Sequence, residues 1–367
     1  MSMVTDLGFW IWLLRREGPR GLRQRIFAMF VCSMVPQVFV GVCAAMMGTA
    51  ALLSADLVEA SNPANMACGF YSCLGANVTF YRRRDRTLAI LRDLQDVAKQ
   101  IQKGADEDPV IQKVLAHAHR MHRRMTNLQT YFGSAMIGSV WLTVLASGGL
   151  YCAVWPAPTS DEAARAGGLA QAVLMLVGCT GFYAAGSLIG VMVTSLMGQY
   201  GVLGVWLRRA RTNRDVEAAI ALHQKILCLA RKVEELYSDS ITHFMLCCFS
   251  APLISTLQVL NDEMGMLTFT AAFINLAVFM PLAILSQSLT DVSLTVRENA
   301  FHAAFEVDDD DTPGMRRALL LMEILAERPA RLSFKGLGPL NLSSAGNALR
   351  TWYSCTSVLA NAGPKKG

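Results

Sequence analysis

The sequence predicts an all-α membrane protein with seven transmembrane helices, a cytosolic N-terminus and an extracellular C-terminus. Three observations predict it. Of the 367 residues, 53% are hydrophobic and only 17% are charged, whereas a soluble domain carries about 25% charge. Six stretches of 20 residues or more contain no charged side chain, and a seventh apolar stretch is interrupted only by Arg350. The basic residues fall on alternate connections between these stretches.

The uninterrupted stretches are Ile26 to Ala55, Ala60 to Tyr81, Thr126 to Ser160, Ala166 to Leu207, Ser240 to Asn261 and Met264 to Thr290. Each is long enough to cross roughly 30 Å of hydrocarbon as a helix rising about 1.5 Å per residue. The second contains Asn62, Pro63, Asn65 and Asn77, so its most apolar part is Met66 to Tyr81. The fourth has 42 residues. One span fits near Leu169 to Leu196, and the remainder is predicted to continue as helix beyond the membrane.

Ahead of the first span, MSMVTDLGFWIWLL precedes Arg15, Arg16, Arg20, Arg23 and Arg25. A cleavable signal peptide carries its positive charge before the apolar core, not after it. Phe9, Trp10, Trp12 and Leu13 are therefore expected in a short interfacial helix anchored by aromatic rings.

Lys and Arg mark cytosolic connections. The N-terminal segment and residues 82–130, 198–240 and 290–336 together hold 29 of the 33 basic residues. The intervening connections hold Arg165 alone. This alternation places the N-terminus inside and, after seven crossings, the C-terminus outside. Under this topology the sequons at Asn77 and Asn341 fall within spans or at their cytosolic ends, where glycosylation does not occur.

Three connections read as amphipathic helices. Ala219, Leu222, Ile226, Leu229, Val233 and Leu236 form a heptad-like seam. A shorter seam joins Leu88, Leu91, Leu94, Ala98 and Ile101, and a third helix over Met315 to Arg328 is apolar at Leu319, Leu320, Met322, Ile324 and Leu325. Such faces need partners, so one cytosolic cluster is expected, partly shared between subunits. The resulting plan is a cytosolic segment 1–25, membrane helices 1 to 6 over 26–290, an anchor helix region 291–336, a final membrane helix 337–361 and an extracellular tail 362–367. Helical extensions at 82–130 and 198–240 join the cytosolic part.

No GxxxxGK, HExxH or GxSxG constellation occurs, so an enzyme is not expected, nor a cofactor, a metal site or a nucleic-acid partner. His117, His119 and His122 lie on one basic amphipathic segment and read as a solvated surface. The run Asp308 to Asp311 lacks EF-hand spacing. Ten cysteines show no CxxC or CxxH pair. Most sit inside spans as small hydrophobes, and only Cys68, Cys152 and Cys179 lie where a disulfide could form. No internal repeat suggests an inverted-repeat transporter, and only the last span shows a candidate break.

In that last segment, Pro329 ends the anchor helix. Gly336, Gly338 and Pro339 form a turn, and a new helix starts near Asn341 or Ser343 and runs to about Asn361. Arg350 is costly in lipid and requires a polar interior, water or a partner. Ser343, Ser344, Asn347, Thr351, Ser354 and Ser357 add polarity, with Val358 and Leu359 as an apolar collar near the outer end. These residues suit either the lining of a water-filled path or polar packing in a closed bundle.

Here the chain resembles the insect odorant receptors. The residues that carry the resemblance are the leucine-rich cytosolic helix, Gly336-x-x-Pro339-Leu340 and the string from Arg350 to Leu359. His223-Gln224-Lys225-Ile226-Leu227 and the helix that follows extend it. The family's second tyrosine in the last string is Cys355 here, and its Tyr and Trp before the last cytosolic helix are Phe301 and Phe305. The long cytosolic insertion typical of the obligate coreceptor is absent, so the chain looks like a ligand-tuning subunit. The related gustatory receptors share the topology, but their TYxxxxxQF ending is missing.

The resemblance implies an odorant-binding subunit of a heterotetrameric, ligand-gated, non-selective cation channel in the plasma membrane of sensory neuron dendrites. The implied partners are an odorant coreceptor subunit, a small volatile apolar ligand and membrane lipid. It implies a pore lined by the final span, with Val358 at the hydrophobic gate and Asn361 near the outer mouth. It also implies an odorant pocket in the outer half of spans 2, 3, 4 and 6. In this sequence those halves present Phe70, Tyr71 and Leu74; Ser147 and Tyr151; Met175, Cys179 and Phe182; and Phe269 and Phe273. Tyr71, Ser147 and Tyr151 are the candidate hydrogen-bond partners.

Overall fold

Ten helices and one short ribbon make up the computed structural model, which describes residues 3–15, 33–105, 108–260, 268, 278–306, 313–336 and 338–362. In chain order they are α1 (Met3–Arg15), α2 (Met34–Leu53), α3 (Leu57–Arg82), α4 (Arg84–Ala105), α5 (Pro109–Ser147), α6 (Asp161–Arg209), α7 (Asn213–Leu260), α8 (Met280–Glu306), α9 (Pro313–Leu325), β1 (Ser333–Phe334), β2 (Gly338–Pro339) and α10 (Leu342–Ala362). Below, "inner" denotes the end bearing the basic connections and "outer" the opposite end.

Local chemistry sets many of these ends. The Asp108 carboxylate accepts the Val110 N–H at 2.9 Å and Pro109 opens α5, where its missing donor costs nothing. Gly148 ends the same helix in the left-handed conformation, at φ 62°. Ser160 caps α6, Asp161 and Glu162 occupy its first turn, and Arg208 and Arg209 its last, all matched to the helix dipole. α6 has 49 residues, or about 74 Å of helix. It therefore runs well past the membrane, as the long charge-free stretch predicts, and it contacts every helix from α1 to α8.

Two apolar cores lie along this axis. The larger joins α1, α4, the inner parts of α5, α6 and α7, α8, α9 and the start of α10. Both predicted seams are buried in it: Leu91, Leu94, Ile226 and Val233 are fully enclosed, and Ala219, Leu222, Leu229 and Leu236 nearly so. The smaller core is outer and collects side chains from α2, α3, α5 and α6 with the loop after α5.

Differences from the sequence expectations are local. α1 does more than lie at an interface: Trp10 and Leu13 are buried against α4 and α6, while Phe9 remains exposed. The anchor helix ends at Leu325 rather than Arg328, because residues approaching Pro329 leave the helical ladder; the Glu327 N–H already bonds Ile324, three residues back. The predicted turn is a ribbon, with Gly336 and Gly338 at φ 76° and 99° as only glycine adopts freely. Among the described residues, Cys43, Cys68, Cys152, Cys228 and Cys355 are free thiols.

Candidate ligand and pore sites

The outer core assembles five of the proposed pocket residues. Phe70 from α3 and Met175 and Cys179 from α6 are buried there, with Leu74 and Tyr151 half-buried at its edge. Each belongs there by spacing: Phe70 and Leu74, like Met175 and Cys179, are one helical turn apart. The Cys179 and Met175 sulfurs lie 3.7 Å apart. Val40, Cys43 and Met47 of α2 and Met136, Val140 and Val144 of α5 close the cluster. The loop carrying Tyr151 is pinned to α6 by Gln171, whose amide oxygen accepts the Tyr151 N–H at 2.8 Å and whose amide nitrogen donates to the Cys152 carbonyl at 2.9 Å.

The other proposed pocket residues lie elsewhere. Phe182 packs edge-on against Phe244 of α7, with ring centroids 4.5 Å apart, in the larger core. Tyr71, about 100° round α3 from Phe70, is half-exposed and edge-on to His243 of α7 at 6.0 Å. Ser147 is exposed at the end of α5, where its hydroxyl accepts the Gly149 N–H at 3.3 Å. Phe269 and Phe273 fall outside the described residues.

The last helix starts where the sequence places it. Asn341 caps α10 by accepting the Ser344 N–H at 2.7 Å, and the Ser344 hydroxyl accepts the Asn341 N–H at 2.9 Å, a reciprocal capping box. α10 packs on α7 and α8. It buries Ala345 and Ala348, with Trp352 half-buried, and turns Ser343, Asn347, Arg350, Ser354 and Val358 away from its own chain. At about 100° per residue these two sets lie on opposite faces. The side chains of Leu359 and Asn361 fall outside the described residues.

A tie between the two sites has no precedent in the sequence reading. Midway along α7, just before its charge-free stretch, Asp239 pairs with Arg83, between α3 and α4, and with Lys335 of the ribbon at 3.0 Å. The Lys335 hydrogen bond and then the Arg83 charge hold the Asp239 carboxyl below the usual carboxylate range. The ribbon is also fixed to α8, because the Leu332 N–H donates to Ser286 at 3.1 Å and the Ala330 N–H to Ser293 at 3.0 Å. A single acidic residue one position before a charge-free stretch is the sequence signal that would have found Asp239.

A helical bundle with membrane-length apolar helices, an inner helical base and a polar-faced final helix is a multi-span membrane protein. Among the described residues α2, α5 and α6 are each long and apolar enough to cross a bilayer on their own. The 7tm Odorant receptor profile matches residues 56–353, and the chain belongs to that family. The fold is similar to that of the insect olfactory receptor OR5 from Machilis hrabei, both in complex with eugenol and without it. The eugenol complex gives a TM-score of 0.74 at 13% identity, covering 97% of this chain and 98% of that one. The other structure gives 0.72 at 14% identity, covering 96% of each. The architecture is thus the seven-transmembrane, all-α fold of those receptors. No protein of curated function matches the sequence.

Proposed function

We propose that this chain is the odorant-binding subunit of a heteromeric, ligand-gated, non-selective cation channel, oriented with its N-terminus in the cytosol and working in olfactory neuron dendrites. The observation that carries this reading is the outward face of α10. Ser343, Asn347, Arg350 and Ser354 are turned from their own chain. A membrane helix presenting such a face requires water or other subunits against it. Val358, on the same face, is the proposed gate, since an apolar ring closes a pore by expelling water.

The inner base supports assembly with a coreceptor. Phe301 and Phe305 of α8 and Leu321 and Ile324 of α9 are exposed, beyond the membrane, and form an apolar surface suited to another subunit. The two phenylalanine rings sit 4.7 Å apart, and Arg316 lies over Phe305. The proposed ligand is a small, volatile, largely apolar molecule, bound in the outer half beside Phe70, Leu74, Tyr151, Met175 and Cys179. Machilis hrabei OR5 binds eugenol, an aromatic molecule of that class. Binding that favours the open state moves the equilibrium toward conduction. The test is whole-cell recording against an odorant panel with and without coreceptor. Odorant-evoked current only in co-expressing cells is expected; strong current from this chain alone would remove the heteromer, and none in either case would remove the channel.

A further inference from the structure

A second cleft, bordering the outer core at Ile137 and Tyr183, lies between α1 and the middle of α5 and α6. Two adjoining hollows of about 610 and 330 Å³ share Phe9, Trp10 and Ser187. Asp6 and His122 line the inner one. The outer one extends along α5 from Thr126 to Ile137. Those twelve residues span about 16 Å of helix end to end, close to half of a roughly 30 Å hydrocarbon core. Because Thr126 begins the charge-free part of α5, this depth is the inner leaflet. Phe9, Thr130 and Ser134 are exposed at the rim.

Gln129 is the feature that packing does not explain. It is 2% exposed and lines the outer hollow, yet neither its amide nitrogen nor its amide oxygen has a hydrogen-bond partner. It is held against Gly186, where even a Cβ would meet the amide nitrogen at 3.0 Å. An unpartnered amide at membrane depth is costly. A primary amide offers a donor and an acceptor side by side, and one hydroxyl group satisfies both. The charges argue for a neutral guest. The Asp6 carboxylate, 3.0 Å from His119, stands at the inner mouth and opposes a phosphate or carboxylate head. Burial holds His122 toward its neutral form. The rings of Phe9 and Tyr183, with Ile137 and Ala184, supply the apolar walls.

We propose that this cleft binds a membrane-dissolved alcohol, an apolar body bearing one hydroxyl, drawn from the inner leaflet and hydrogen-bonded by Gln129. A sterol and a long-chain alcohol share that chemistry. The occupant packs between α1 and the α5–α6 pair, so its presence bears on how the N-terminal helix seats against the bundle.

The test uses membranes from cells expressing the full chain and two photoactivatable, alkyne-tagged probes, one a sterol and one a long-chain alcohol. After irradiation, adducts are mapped by peptide mass spectrometry. Adducts of at least one probe should concentrate on residues 126–137 or on α1, and which probe labels identifies the source. Gln129→Leu, close in size but without the amide, should lower labelling about tenfold. Ser134→Trp, at the exposed rim where folding is least affected, should do the same by blocking entry. Undiminished labelling in both variants overturns the proposal. So do adducts spread evenly over all helices, or equal labelling by a tagged anionic phospholipid.

Discussion

In the inner base, Leu91, Leu94, Ile226 and Val233 from separate helices meet with no exposure, and charged side chains bind the helices across their edges. Arg86 reaches Glu235 at 2.6 Å, Lys232 reaches Asp93 at 3.2 Å, and Asp239 joins Arg83 and Lys335. In the outer half, the second core is smaller, built of sulfur-bearing and β-branched side chains such as Cys43, Met47, Met136, Val140 and Met175. Its loop is held by Gln171 of α6, which bonds the Tyr151 N–H and the Cys152 carbonyl. The difference follows from solvent. Below the membrane, apolar faces associate to leave water, and ion pairs reinforce the contact. Within lipid that drive is absent, and helices associate by packing and by interhelical hydrogen bonds, such as Asn77 to Gln37 at 2.9 Å. On the proposed reading, the inner base carries most of the stability, and the Met and Cys side chains of the outer half can adapt to a ligand.

Truncation sets the largest contrast. Leu94→Ala in the inner core should cost about 2–5 kcal/mol. It should lower the thermal midpoint of the purified protein in detergent and reduce surface expression. Met175→Ala in the outer core should cost less while shifting the odorant dose-response. Equal losses of stability from the two would break the comparison.

Acid provides the next test. Burial lowers the His223 pKa to about 4 in the inner base. The folded form thus excludes a proton that the unfolded chain accepts below about 6.5. Stability from this residue is complete above about pH 6.5 and falls as the pH drops toward 4, by on the order of 2–3 kcal/mol. His223→Leu should flatten that part of the pH–stability curve. Asp239 behaves differently. Its depressed pKa makes the tie fully present above about pH 4, the unfolded Asp value, and lost only in stronger acid. Mild acidification should therefore spare it. Asp239→Asn should weaken coupling between ligand and gate at neutral pH, read as a reduced maximal odorant current at normal surface level.

Smaller effects are expected at the pore. Val358→Ser keeps the size roughly similar but admits water, so basal current or ion permeability should rise partially, since coreceptor helices contribute to the same pore. If Val358→Ser and Val358→Ala both leave basal current, block and permeability unchanged, that face of α10 does not meet the pore. Smallest is Tyr151→Ala, expected to move the dose-response while leaving unliganded pore properties alone. An unchanged response places the Tyr151 ring in loop packing.

Periodicity and charge determined much of this by themselves. The six charge-free stretches, the Asn341 start of the last helix and the seams at Leu88 to Ile101 and Ala219 to Leu236 follow from local rules, because span length and helical spacing are properties of short segments. The tertiary structure alone decided which faces meet. Phe70, Met175 and Cys179 enter one core, whereas Tyr71, next to Phe70 on the same helix, turns to His243 and Phe182 joins Phe244. Likewise Asp239, Arg83 and Lys335 are distant in sequence and converge only because α7 runs between the base of α3 and the ribbon. Helical spacing fixes which side chains share a face, but a face is equally compatible with ligand, lipid or a neighbouring helix until crossing angles bring one against it.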